Sequence, residues 1–194
     1  MRMRILTERL ELLPGRPRDV PALYHALRRN VDHLRPYTPA PEPGEKRPSL
    51  TVAARELARW RSLWQRGDSY AFYVWPREAS GGRDDRPIIG RITLGRVTRG
   101  VFQNAYLGYW IDRDHQSSGL MTEAVRAVLK FAFGPLRLHR VQAGVMPENE
   151  RSMRVLEKNG FWREGLALRY LKIAGEWRDH VLFALTLEEW EKTI

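Results

Sequence analysis

Gln116-Ser117-Ser118-Gly119-Leu120-Met121 sets two hydroxyls and a glycine directly before an amphipathic run. The first N–H groups of a helix have no internal partner, and the aligned peptide dipoles add partial positive charge there. Gly119 removes a side chain that would obstruct a phosphate, and Ser117 and Ser118 can add hydroxyl donors. A pyrophosphate suits this arrangement as it suits other glycine-containing helix starts. Small polar residues also cap helices without any ligand, and that is their commoner use. Taken alone, the stretch leaves both readings open. The rival nucleotide motifs, GxxxxGK[ST] and GxGxxG, are absent.

Other side chains could do chemistry. Asn149 has the residue type of an N-cap, and Ser152 stands in the first turn of the run that follows. Asp179 alternates with Trp177 and Val181 along a strand, so it could be a base or merely a salt-bridged strand residue. His180 and Glu123 are further base candidates. Tyr37 and Tyr170 could shape an acceptor site or simply pack. An α-amine has a pKa of about 7.7–8.0, against about 10.4 for lysine, so a site without an obvious base suits N-termini better than lysines.

The 194 residues suffice for one well-buried domain and require no second. No apolar run approaches the twenty residues of a membrane span. MRMRILTERL lacks the apolar stretch and cleavage site of a signal peptide, and cysteine is absent, so a cytoplasmic location is expected. Without cysteine there is no disulfide, thiolate metal site or sulfur acyl-enzyme. The five His are scattered and no metal site is expected. The net charge of +10 favours an acidic partner or a polyanionic coenzyme, and equally serves solubility. No RNA-binding aromatic motif, zinc finger or long basic block marks a sequence-specific nucleic-acid reader.

The elements that must position these residues follow from periodicity. A strand is expected over 3–13, then a helix over about 20–29 with Asp19 as N-cap and Pro21 in its first turn. The proline-rich segment 33–48 is expected to lack regular structure, as a connector or a substrate-facing loop. A helix over about 51–66 puts Ala53, Leu57, Trp60 and Trp64 on one face and stops at Gly67. Strands at 70–75, 88–97 and 105–111 read as an antiparallel meander, with a polar turn at 80–86. A helix over about 119–133 buries Met121, Val125, Val128, Leu129 and Ala132, and Gly134-Pro135 ends it. A strand at 139–145 completes a βαβ unit. A capped helix over 147–161 and a hairpin turning at Ala174-Gly175 follow. A short helix closes the order, with Thr186 and Glu189 in capping-box positions. The expected class is α/β: a mixed central sheet of about six to seven strands with helices on both faces.

LGYWI, then QxxGxM opening a long helix, then HRV, PENERS and NGF, together resemble the GNAT superfamily of acyl-CoA-dependent N-acyltransferases. LRPY, LMTEAV, LHRVQA, MPENERSMRVLEKNGF and GEWRDHVLFAL are similar to the ribosomal-protein alanine N-acetyltransferases of the RimJ/RimL type. The resemblance covers nearly the whole chain and is strongest from about 105 to 190. It implies one GNAT domain over 1–194, with acetyl-CoA as the coenzyme. Its pyrophosphate would lie on Gln116, Ser117, Ser118, Gly119, Leu120, Met121 and Thr122. Its pantetheine arm would pair with Tyr109-Trp110-Ile111, where a backbone N–H could polarise the thioester. The resemblance also brings Asn149 toward the arm and makes Ser152 a hydrogen-bond donor to the departing thiolate. The sequence departs from the family at Met121, where Gly or Ala is usual, and at Leu156, where many members carry a thiolate-protonating Tyr.

The implied reaction is direct attack of an amine in a ternary complex. The implied acceptor is a protein N-terminus, a ribosomal protein in particular, and docking near ribosomal RNA would suit the charge. One alternative is a small amine or antibiotic, for which acidic pocket walls are expected. The other is a non-catalytic, ribosome- or RNA-associating module on the same scaffold.

Overall fold

The computed structural model describes residues 3–40, 48–77 and 86–193. Its strands are β1 (Ile5–Leu6), β2 (Leu10–Leu13), β3 (Tyr70–Pro76), β4 (Gly90–Thr98), β5 (Asn104–Ile111), β6 (Arg140–Val145), β7 (Trp162–Ile173) and β8 (Glu176–Thr186). The helices are α1 (Val20–Arg29), α2 (Val31–Leu34), α3 (Leu50–Arg66), α4 (Leu120–Phe133), α5 (Glu150–Glu157) and α6 (Leu187–Glu191). All eight strands form one sheet in the order β1-β2-β3-β4-β5-β6-β8-β7. Only β5 and β6 run parallel, joined across α4 in the expected βαβ unit.

The sheet has one strand more than expected because the run 3–13 is broken. The Thr7 amide and hydroxyl donate to the Leu10 carbonyl at 3.0 and 3.2 Å, and the Leu10 amide returns to the Thr7 hydroxyl at 2.9 Å. That local turn makes β1 and β2 an antiparallel hairpin. In the proline-rich segment, 31–37 forms α2 and a 3₁₀ turn around Pro36. Proline is tolerated there because the first turn of a helix does not need its N–H. Residues 41–47 of that segment, and all of the expected 80–86 turn except Arg86, lie outside the described residues.

Helices cover both faces. Leu10, Leu12, Ile92, Leu94, Ala105 and Leu107 pack with the α4 residues Met121, Val125, Val128, Leu129 and Ala132. On the other face Tyr73, Trp75 and Trp110 meet Leu23 and Ala26 of α1 and Ala53 and Leu57 of α3. Each fully buried leucine here contributes roughly 1.5–3 kcal/mol. The α3 stripe divides between the two cores: Trp64 packs against the α4 core, its ring 6.1 Å from Phe131 of α4. Gly67, at φ 75, ends α3 in the left-handed conformation that favours glycine.

Two expected caps are not made by side chains. Asp19 precedes α1, but its carboxylate takes the Arg16 amide at 2.8 Å rather than a helical N–H. Thr186 precedes α6 with no capping hydrogen bond from its side chain.

Candidate active site

Between β5 and β6 the sheet comes apart. The parallel pairing joins Asn104, Ala105 and Tyr106 to Arg140, Val141 and Gln142, and stops there. On its other edge β5 stays paired with β4 as far as Ile111. The Asp112 amide donates to the Ile89 carbonyl at 2.7 Å. Antiparallel alternation then turns the backbone groups of Trp110 and Gly108 toward β4, and those of Leu107, Tyr109 and Ile111 toward the parting. A Thr93 hydroxyl bond to the Gly108 carbonyl, at 3.2 Å, fits this phase. Tyr109 and Ile111 thus offer free edge groups, as expected. Trp110 does not: its backbone is turned to β4 and its ring lies in the α1/α3 core.

At the end of β5 the chain enters the loop 112–119. Ser117 has φ 58 and Gly119 φ 77, two left-handed residues around Ser118. Such alternation gathers successive N–H groups onto one side, the geometry of an anion nest. The α4 ladder begins with the Glu123 amide on the Gly119 carbonyl. Among the described residues, the amides of Ser117 through Thr122 have no hydrogen-bond acceptor. This concave, positively polarised backbone fits a pyrophosphate.

The side chains of the loop divide the work differently from expectation. The Ser117 hydroxyl has no partner among the described residues, whereas the Ser118 hydroxyl donates to the His115 carbonyl at 2.5 Å. Gln116 is a strut: its amide nitrogen lies 2.7 Å from His33 Nε2 and its oxygen accepts from Arg151. Leu120 is half-buried and Met121 is buried, its methyl against Gly90. A longer residue than Gly or Ala is accommodated there because it points into the core. The Thr122 carbonyl accepts from Asn159 at 3.3 Å, joining α4 to the end of α5.

Arg9, more than a hundred residues away, completes the loop. Its Nη1 donates to the Ser118 carbonyl at 2.9 Å and its Nε pairs with Glu123 at 2.7 Å. Its Nη2 lies 3.5 Å from where a Gly119 side chain would begin. Partial burial opposes ionisation of Glu123, but hydrogen bonds from Thr7 and Arg9 outweigh it and lower the carboxyl pKa. Glu123 is therefore engaged with Arg9 at the start of α4, beside the anion loop. Beneath lies Asp112, fully buried, accepting from Arg29 Nε at 2.5 Å, Asn30 at 2.8 Å and the Asp114 amide at 3.0 Å. Burial works against its charge, yet Asn30, Asp114 and Arg29 hold its pKa at about 2.

α5 brings its first turn over the parting. Asn149 caps it, its side-chain oxygen taking the Ser152 amide at 3.2 Å. Among the described residues its amide NH₂ has no partner, so it can still donate to a ligand. Ser152 is tied to Tyr109: the Ser152 hydroxyl donates to Tyr109 Oη, and Tyr109 Oη to the Ser152 carbonyl, both at 2.9 Å. Burial raises the Tyr109 pKa strongly, only partly offset by the Ser152 bond, so the phenol stays protonated. The sequence marks Tyr109 for its backbone alone, and nothing in its spacing announces the neighbour at Ser152, 43 residues on. Leu156 is fully buried in the α4 core, so the departure from the family there is a packing residue.

Asp179 does not join this group. It lies in a shallow depression of about 220 Å³ with Pro147, Glu148, Trp177 and Arg178, and accepts the Arg169 amide at 2.7 Å. Tyr37 and Tyr170 are carried by segments the fold brings together, since the Ala174 amide at the hairpin turn donates to the Thr38 carbonyl at 3.0 Å. No group of three or more His, Asp or Glu among the described residues could hold a metal, and no described helix is long and apolar enough to cross a membrane.

A parted parallel strand pair beside an anion-binding helix start is the architecture of a GNAT N-acetyltransferase, and the chain belongs to that family. Residues 9–162 match the family model "Acetyltransferase (GNAT) domain". The chain is 34% identical to the [Ribosomal protein uS5]-alanine N-acetyltransferase of Escherichia coli over 189 residues, covering 97% of this chain and 93% of that one. It is 42% identical over 131 residues to the probable N-acetyltransferase YjcK of Bacillus subtilis, covering 68% and 69%. The structure of Mycobacterium smegmatis RimJ in complex with CoA-disulfide superposes with a TM-score of 0.83 at 34% identity, covering 93% of this chain and 83% of that one.

Proposed function

We propose that this protein transfers the acetyl group of acetyl-CoA to the N-terminal α-amine of a protein, an alanine of a ribosomal protein in particular, by direct attack in a ternary complex. One observation carries the reading: the open β5 edge at Tyr109 and Ile111 runs straight into the unpartnered amides of Ser117–Thr122. An extended arm with an amide-bearing backbone pairs with the first, and its diphosphate end falls on the second. A β5 amide at the parting polarises the thioester carbonyl. The Ser152 hydroxyl gives its one hydrogen to Tyr109 Oη in the resting site, and turning that hydrogen from the phenol to the sulfur lets it meet the leaving group. A serine hydroxyl is a weak acid, so it stabilises the thiolate by hydrogen bonding. The RimJ complex with CoA-disulfide and the uS5-alanine activity named for the E. coli relative support the coenzyme and the acceptor class.

The alternative of a polycationic small amine or antibiotic is less well supported. Among the described residues, the sheet face away from α4 presents Tyr106, Gln142, Tyr170 and His180 at the parting, and the carboxylate of Glu164 beside Gln142 is taken up by Arg140, where such a substrate calls for free acidic walls. A cytoplasmic location, and docking near ribosomal RNA through the charge of +10, complete the proposal.

The test is calorimetric titration of the protein with acetyl-CoA, followed by mass spectrometry of an Ala-starting uS5 N-terminal peptide incubated with both. Saturable binding and a single acetyl on the α-amine are expected. Binding without transfer to any amine would favour a non-catalytic module; no binding would remove the enzyme reading altogether.

A further inference from the structure

Each of the two parting strands carries a glycine just beyond the last pair. Carried two residues beyond its last pair, Tyr106 with Gln142, the parallel register sets Gly108 across from Gly144. Strand alternation puts both on the face away from α4, because Ala105, Leu107, Val141, Ala143 and Val145 fill the α4 side. Gly144 is exposed, and a side chain begun there would meet Tyr170 at 3.5 Å and His180 at 3.6 Å. The mouth of the parting is therefore bare at Gly144 and walled there by those two rings, while on β5 a side chain begun at Gly108 would meet the Thr93 hydroxyl at 3.1 Å.

His180 is 3% exposed. Its Nδ1 lies 3.0 Å from the Arg178 carbonyl, which can only accept, so Nδ1 carries the hydrogen and the neutral ring presents a lone pair at Nε2. Nε2 has no partner among the described residues and, on a ring that is almost wholly buried, is not completely sealed. Tyr170 of β7 meets the ring edge-on with centroids 5.7 Å apart. Tyr106 of β5 and Arg96 of β4 face Tyr170 in turn. Within β8, Arg178 is paired with Glu148 and Glu176, and Asp179 alternates onto the face of Val181, where it accepts the Arg169 amide. The carboxylates of Glu148 and Asp179 are thus engaged by Arg178 and by the Arg169 amide.

We infer that the Gly108–Gly144 gap is the port through which the acceptor amine reaches the parting, and that His180 is a catalytic base. The inference rests on the acetyl-transfer reading above. The amine nitrogen bonds to the thioester carbon as the carbon–sulfur bond breaks. The nitrogen's proton passes to His180 Nε2, and the electron pair of the broken bond stays on sulfur, which Ser152 hydrogen-bonds from the opposite face. Entering and leaving groups thus use opposite sides of one sheet.

The test compares the wild type with His180→Asn, whose amide can still donate to the Arg178 carbonyl. With acetyl-CoA and the uS5 peptide, kcat/KM should fall about 10²-fold or more, with the acetyl-CoA Kd unchanged and the acidic limb of the pH profile lost. Gly144→Val should raise the peptide KM and leave the acetyl-CoA Kd alone. In wild-type protein, ¹⁵N NMR should show His180 as the Nδ1–H tautomer, titrating in step with the acidic limb of kcat/KM. That last measurement decides the matter even if the Asn variant does not fold. Full activity in a folded His180→Asn, or a His180 titration unrelated to the rate, overturns the base while leaving acetyl transfer intact. A wild type that turns over no α-amine overturns both.

Discussion

Tyr109 and Ser152 hold each other by two hydrogen bonds of 2.9 Å across the parted strands, the serine hydroxyl giving to the phenol and the phenol to the serine carbonyl. Under the proposed function, Ser152→Ala should lower kcat by about 10²-fold while the acetyl-CoA Kd moves little. Tyr109→Phe removes both bonds, at about 1 kcal/mol each, and should lower the melting temperature by about 4–8 °C. Burial keeps the phenol protonated, so neither variant should shift an alkaline limb of the rate profile. A Ser152→Ala enzyme with unchanged kcat would show that the serine only closes the turn.

Ser117 separates cradle from cap. Its φ of 58 strains a side-chain-bearing residue, so Ser117→Gly should leave stability within about 1 kcal/mol of wild type. If its free hydroxyl donates to a phosphate, the acetyl-CoA Kd should still rise about 5-fold. Gly119→Ala should cost roughly 1–2 kcal/mol in backbone strain at its φ of 77, while its methyl meets Arg9 Nη2 at an ordinary contact distance. Thermal melts beside calorimetry separate the two effects; a Ser117→Gly protein binding as wild type would confine the site to backbone amides.

Leu156 is the place to ask whether the family's usual tyrosine has been lost or replaced. The residue is fully buried, so Leu156→Tyr should overpack the α4 core, cost about 1–3 kcal/mol and gain no activity. A faster Leu156→Tyr enzyme would mean that the thiolate lies nearer α5 than Ser152 places it.

Asp112 links the anion loop to acid stability. Its folded pKa of about 2 lies below the ordinary 3.8, so its contribution is fully present above pH 3.8 and is lost as pH falls through about 2. The difference corresponds to about 2 kcal/mol. Asp112→Asn should lower the neutral-pH stability by at least that amount and flatten the acid limb of a stability-against-pH curve. An unchanged acid limb would mean that other carboxylates govern it.

The meander, the βαβ unit and the helix start at Gly119 were legible because each rests on local periodicity or a local breaker. The broken first strand was not, since Thr7 ends it through a turn that its alternating leucines conceal. Trp110 looked open because the phase of a strand's hydrogen bonds does not show in its residue types. Asp179 and His180 could be assigned to opposite faces by alternation, but the acceptor's face is defined only once β5 and β6 part. Arg9 and Asn30 reach the loop through contacts spanning 109 and 82 residues, which no spacing rule finds.

The hydrogen bond from Ala174 to Thr38 closes a circuit. From the turn it runs through β8 and β6 to the paired start of β5, along β5 to Asp112, across to Asn30, and back through α2 to Thr38. The hairpin turn of β7 and β8 and the segment after α2 are thereby fastened to the two strands that part, so a shift of either strand must be felt at Thr38 and Ala174, far along the chain from both.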